Sequence, residues 1–237
     1  TMCWFCKDNV ATTDTERRSN GSACLVLTSD GAGTVAALAD FVSFGTGANA
    51  GKFTINWTTA PAGAYLIHYI MMGGSDLTNV FVGEWTLPTV AGNANFTGVG
   101  FVGTGGIFFG PRAIAHGNTT NAPVWFGAAT SSTSRFSFFH GNRDGRTTTG
   151  SVKHYHDNTK CISIPVSNGD MLDGNADFVD WITDGFTLNI VDPPAAADLF
   201  MGIIFKGPQI EIDEISAPAS TGQQTITTAF LPSGVLF

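Results

Sequence analysis

Phe53-Thr54-Ile55-Asn56 returns as Phe186-Thr187-Leu188-Asn189, and in both places apolar and polar residues alternate with period two. In an extended chain that alternation puts Phe53, Ile55 and Trp57 on one face and Thr54, Asn56 and Thr58 on the other. The second copy does the same with Phe186, Leu188 and Ile190 inward. One apolar face and one polar face mark a half-buried antiparallel strand. Other landmarks recur in the same order. Trp4-Phe5 answers to Trp125-Phe126, Cys24 to Cys161, Asp40-Phe41-Val42 to Asp177-Phe178-Val179, Gly74 to Gly207, Pro88 to Pro218, Phe101 to Phe230 and Phe108 to Phe237. Matches in one order over the whole length imply an internal duplication. Two domains follow, residues 1–112 and 113–237, each large enough to bury a core of its own.

Between these landmarks, short runs rich in Val, Ile, Phe, Thr and Trp alternate with Gly, Asn, Asp and Pro, the pattern of strands and turns. The best helical candidate, Val35 to Phe41, is short and begins in a glycine-rich loop. Thr12–Gly21, which carries Glu16, Arg17 and Arg18, reads as a polar loop. Ala64–Met72 and Leu199–Phe205 are apolar on both parities, so each reads as a central strand covered on both sides. Val80–Leu87, Asn95–Phe101 and Gly106–Phe109 complete the first unit. The expected fold is all-β, two tandem antiparallel β-sandwich (jelly-roll-like) domains. A last strand at Phe237 would leave an open edge, to be covered by the N-terminal strand near Trp4 or by a neighbouring molecule.

Charged residues make up 13% of the chain and its net charge is −8. That composition opposes a nucleic-acid or anionic-membrane partner, both of which need a basic face. No apolar run is long enough for a transmembrane helix. The start at Thr1, with Met2 behind it and no basic-then-apolar pattern, suggests a chain processed or excised from something longer. Cys3 and Cys6 have CxxC spacing, but no second pair and no nearby His completes a zinc set. Cys24 and Cys161 open apolar runs and read as small buried hydrophobes.

No motif identifies a reaction. GxSxG and phosphate-loop patterns are missing from the sequence. Asp170 with Asp173, and Glu211 with Asp213, read as solvated charge. Asn-x-Ser/Thr at Asn20, Asn56, Asn95 and Asn118 matters only in a glycosylating host. Trp57 and Trp85 are matched in the second copy by aliphatic residues, Ile190 and Ile215, and read as core. The most distinctive stretch is Ser134–Lys160. Between the tryptophan and cysteine landmarks the second copy is the longer, 36 residues from Trp125 to Cys161 against 20 from Trp4 to Cys24. The excess brings Arg143, Arg146, His154 and His156. On a strand His154 and His156 share a face and can offer two imidazoles to one metal, with His140 or Asp144 joining only if folding brings them near. The alternatives are a partner- or ligand-binding loop and a solvated hairpin with incidental histidines. We take Arg143, Arg146, His154 and His156 as candidate contact residues, and expect no catalytic residue, no metal and no cofactor.

The stretches at residues 53–88 (FTINWTTAPAGAYLIHYIMMGGSDLTNVFVGEWTLP), 95–110 (NFTGVGFVGTGGIFFG) and 124–132 (VWFGAATSS), with the weaker echo DFVDWITDGFTLNI at 177–190, resemble repeat-containing virion structural proteins of tailed bacteriophages. The resemblance rests on packing and turn residues, so it carries over no functional residue. It implies a non-enzymatic surface component of the head (decoration) or of the tail or fibre, assembled in the host cytoplasm into a virion. The partners it implies are other virion proteins and further copies of the same chain. A carbohydrate-binding adhesin that contacts a host-surface glycan is the alternative.

Overall fold

The protein is described from a computed structural model that covers residues 1–7, 10–29, 33–147, 152–232 and 234–235. It is all-β and antiparallel, and among the described residues the one helical element is a 3-10 turn at Gly47–Asn49. In chain order the strands are β1 (Met2–Lys7), β2 (Asp14–Ser19), β3 (Leu25–Thr28), β4 (Val35–Phe44), β5 (Phe53–Thr59), β6 (Asn79–Thr86), β7 (Gly92–Thr97) and β8 (Gly105–Gly110). They continue as β9 (Gly117–Thr120), β10 (Val124–Ala129), β11 (Arg135–Asn142), β12 (Val152–Asp157), β13 (Ile162–Pro165), β14 (Leu172–Ile182), β15 (Gly185–Asp192) and β16 (Leu199–Lys206).

The main body is a sandwich. A six-stranded sheet, ordered β12-β11-β10-β8-β16-β6, packs on a four-stranded sheet ordered β13-β14-β15-β7. Alternation along each strand sends one row of apolar side chains into the gap. Phe108, Trp125, Phe139, Phe200 and Ile204 come from the first sheet; Phe96, Ile162, Ile164, Phe178, Phe186, Leu188 and Ile190 come from the second. Aromatic rings dominate this core: Phe186 stacks on Phe96 at 5.2 Å and meets Trp85 edge-on at 5.0 Å. The recurring Phe-Thr-Leu-Asn segment is core, with Phe186 and Leu188 fully enclosed. At Gly127 the two sheets come so close that a Cβ would lie 1.8 Å from the Cys161 carbonyl oxygen.

The boundary expected at 112/113 runs through this sandwich. β6, β7 and β8 precede it, yet β6 pairs with β16, β7 with β15, and β8 with both β10 and β16. The compact unit therefore spans residues 79–206. Residues 1–59 form two smaller sheets, β3-β4-β5 and β1-β2-β9, the second completed by β9 from within the span of the larger unit.

Two further expectations change. Thr12–Gly21 is not a loop. Its β2 alternates buried Thr15, Arg17 and Ser19 with partly exposed neighbours. A buried arginine is tolerated there because its guanidinium donates to the carbonyls of Thr120, Asn121 and Arg112. Burial, with the nearby Arg112 charge, pulls its pKa down to about 10. Ala64–Met72 is not a strand. It lies outside every sheet, with Leu66 94% exposed, whereas Leu199–Phe205 falls in β16, which is paired on both sides and buried on both faces as expected.

Candidate interaction surface

Strand pleating makes every second residue of the six-stranded sheet face away from the core. That outer face is apolar too. Reading across the paired positions, Glu84, Met201, Phe109, Phe126, Phe138 and His156 lie side by side on β6, β16, β8, β10, β11 and β12. Phe109, Phe126 and Phe138 stack ring on ring, at 6.1 and 5.5 Å, and Phe136 stacks on Phe138 at 6.2 Å. The next row holds Val82, Ile203, Ile107, Ala128 and Phe136. Part of this face is covered: Met201, Phe205 and Ala128 are buried, and Ile210 reaches Gly105. Phe138 and Val82 stay exposed, at 40% and 70%.

The histidines close this surface at the β12 edge. His140 sits directly opposite His154 with rings 5.9 Å apart, and His156 is opposite Phe138. Partial burial, with His154 alongside, lowers the His140 pKa below its ordinary value. A His140 imidazole that resists protonation suits a neutral, weakly polar rim. Asp144, the other possible ligand, points elsewhere and accepts from the Thr15 amide at 2.9 Å. Among the described residues no three His, Cys, Asp or Glu side chains converge as a metal site would require. Asp157 lies on the opposite parity, where it accepts from the Tyr155 hydroxyl at 2.9 Å.

The two candidate arginines lie elsewhere. Arg143 pairs with Asp170 at 2.6 Å, and its carbonyl accepts from the Thr13 hydroxyl at 2.6 Å. The Arg146 carbonyl accepts from the Thr13 amide at 2.9 Å, the Gly145 amide donates to the Thr13 carbonyl at 2.8 Å, and the Arg146 amide donates to the Thr13 hydroxyl at 2.9 Å. This bend after β11 is thus a clamp on the chain's own β2. His154 and His156 share a face with each other and with His140, but not with Arg143 or Arg146. The aromatic row was missed because Phe109, Phe126 and Phe138 lie in runs with apolar residues on both parities, which say "buried on both sides" without saying by what.

A buried ionic joint lies behind the surface. The Arg112 guanidinium pairs with Asp198 and, at 2.6 Å, with Asp173, and its Nε donates to the Pro165 carbonyl at 2.6 Å. Burial raises the Asp198 pKa, while Arg112 opposes the rise. Two open hollows, one between Arg18–Ser22 and His116, the other between Ser43–Asn49 and Lys52–Thr54, have no carboxylate in their linings. Among the described residues no helix is long and apolar enough to cross a membrane. No protein-family profile, curated protein or solved structure matches this chain.

Proposed function

We propose that the chain is a non-enzymatic virion structural protein, a surface component of a phage head or of a tail or fibre, that assembles through the outer face of its six-stranded sheet. The observation that carries the assembly role is the aromatic row Phe109, Phe126 and Phe138 on the face opposite the core. A sheet that is apolar on both faces calls for cover on both, and exposed contiguous apolar surface marks an interaction site. The virion setting comes from the sequence resemblance. Other virion proteins and further copies of the chain are the partners this surface suits.

Light scattering coupled to size exclusion tests the reading. Wild-type protein is expected to form oligomers at micromolar concentration, and Phe138→Asp to release folded monomers with an unchanged far-UV spectrum. A wild type that stays monomeric at every concentration refutes self-assembly. The second reading, a glycan-binding module, draws on the same exposed Phe138, whose ring can stack on a sugar. A monomer whose glycan-array binding is lost in Phe138→Ala supports it instead.

A further inference from the structure

The small sheet β3-β4-β5 repeats the pairing of β13-β14-β15 position by position. Leu25 faces Ala39 as Ile162 faces Ala176, and Phe41 faces Ile55 as Phe178 faces Leu188. The three irregularities fall at matching places: Leu27/Thr28 with Ile164/Pro165, Leu38/Ala39 with Asn175/Ala176, and Phe41/Ser43 with Phe178/Asp180. Cys24 and Cys161 each donate their thiol back to the matching carbonyl, Ala39 or Ala176. Their surroundings differ. Phe178, Phe186 and Ile190 are at most 1% exposed, whereas Phe41 is 46% and Trp57 39% exposed. Phe186 is covered by Trp85 of β6 and Phe96 of β7 together with Phe108 of β8 and Phe200 of β16. Over Phe53, its counterpart, the ring contact among the described residues is Tyr69, edge-on at 5.2 Å.

The sequence supplies a second set of covering segments. Residues 209–216 follow β16 as β6 follows residues 64–72, and like 64–72 they lie outside every sheet; Ile210 rests on Gly105 and the Ile212 carbonyl accepts from the Ser134 hydroxyl at 2.9 Å, contacts that the pairing below exchanges for its own. We infer that residues 209–227 close as a strap over the N-terminal sheets of the same molecule, with 209–216 antiparallel to 64–72 and 222–227 antiparallel to β5. Transferred from the β16–β6 register, this sets Met72 against Ile210, Ile70 against Ile212 and Ile67 against Ile215, where the sandwich sets Phe205 against Val80, Ile203 against Val82 and Phe200 against Trp85. His68 then meets Glu214 where Met201 meets Glu84. Ile226 comes opposite Phe53 as Phe96 is opposite Phe186, and Gly222 takes the place of Gly92, both with positive φ, 150° and 118°. Glu211 and Asp213 take the places of Phe81 and Gly83, so this second core has a more polar margin.

The crossover favours one molecule over two. Gly74 and Gly207 hold matching positions, with φ of 131° and 107°, left-handed values that favour glycine. The Thr78 amide donates to the Lys206 carbonyl at 2.9 Å, and a Cβ on Gly207 would lie 1.9 Å from the Asp76 carbonyl oxygen. The place where 64–72 ends and the place where the strap begins are therefore side by side. Only Gly207-Pro208 intervenes between β16 and the strap, so its effective concentration for its own molecule far exceeds that for a neighbour.

The test is a bridge. Ile70→Cys with Ile212→Cys, in a Cys3→Ser, Cys6→Ser, Cys24→Ser background, places two thiols directly opposite across paired strands, within disulfide reach. Oxidation of an equal mixture of unlabelled and ¹⁵N-labelled protein, followed by peptide mass spectrometry, is expected to give bridged peptides of matched label only. Mixed-label bridges would assign the strap to a second copy and overturn the inference. Wild-type hydrogen exchange covers the case where the variant misfolds. Amides of 65–72 and 210–216 are expected to slow about a hundredfold or more, independent of protein concentration; exchange at the open-chain rate in both segments refutes the strap. Phe138→Asp leaves this bridge intact, so loss of assembly and loss of the strap are read separately.

Discussion

Arg112→Met should destabilise the fold by an amount that depends on pH. Arg112 is 8% exposed and sits at φ 52°, a left-handed value that costs a non-glycine residue about 1 kcal/mol and persists only where the surroundings hold it. They do so through Asp198, Asp173 and Pro165, while its own carbonyl accepts from Arg17 at 2.6 Å. Methionine keeps the bulk and removes the charge. Asp198 is fully buried and one of its oxygens already has no partner, so the variant strands a carboxylate. Breaking a buried pair in this way costs about 3–5 kcal/mol at neutral pH, about a fifth or more of a typical domain's stability of about 5–15 kcal/mol. The sign with pH follows from linkage. The Asp198 pKa is raised by burial and held down by Arg112, so removing Arg112 raises it further. A carboxyl whose folded pKa is raised contributes stability that is fully present below its unfolded value, about 3.9. That contribution is lost as pH rises through the folded value. Urea unfolding followed by tryptophan fluorescence should therefore show a small deficit at pH 4 and the full deficit at pH 7. Adding Asp198→Leu to Arg112→Met should recover most of it. An equal deficit at both pH values, or one under about 1 kcal/mol at pH 7, refutes the reasoning.

Phe186→Ala removes the ring shared by Phe96, Trp85, Phe108 and Phe200, and should cost about 3–5 kcal/mol by chemical denaturation with the far-UV spectrum retained. Gly127→Ala puts a methyl into the backbone of Cys161 and should cost about 1–3 kcal/mol or more; a neutral substitution would show that the sheets separate easily. Cys161 should resist alkylation in the native protein, because burial pushes its pKa up, while exposed Cys6 reacts; iodoacetamide labelling read by mass spectrometry checks this. His140 contributes stability that is present above about pH 6.5 and lost as pH falls through its lowered folded pKa, so His140→Phe should flatten that part of the stability profile, measured by thermal melts.

The sequence revealed strands better than partnerships. Phe186, Leu188 and Ile190 were readable as inward because alternation is a local signal, and β16 was readable as central because both its parities are apolar. β2 was not, since an arginine normally marks solvent and only the folded arrangement of the Thr120, Asn121 and Arg112 carbonyls makes Arg17 a core residue. The unit boundary was not readable either. Period two says that β6, β7 and β8 have an apolar face but not that β15, β16 and β10 will cover it, because pairing is decided over long separations. Of the candidate contacts, the sequence placed His154 and His156 on one face. It left the approach of His140 to the fold, which supplies it through the β11–β12 register.

The distribution of polar groups bears on what the molecule is for. Where the N-terminal sheets meet the sandwich, the contacts are directional. Thr13 and Thr15 bond to Arg143, Asp144 and Arg146, and Arg17 bonds to Arg112, while His116 bridges Ser19 and Glu84. Such bonds fix the angle between two parts but each adds only about 1 kcal/mol net, since water competes for the same groups. The outer face of the six-stranded sheet has the opposite character, stacked rings and branched aliphatics with histidine at the rim. A monomer gains by the reverse arrangement, with apolar contact at its internal joints and polar groups outward. That division fits the assembly role proposed above, in which internal joints set the shape before assembly and the free energy of assembly comes from contact with neighbours.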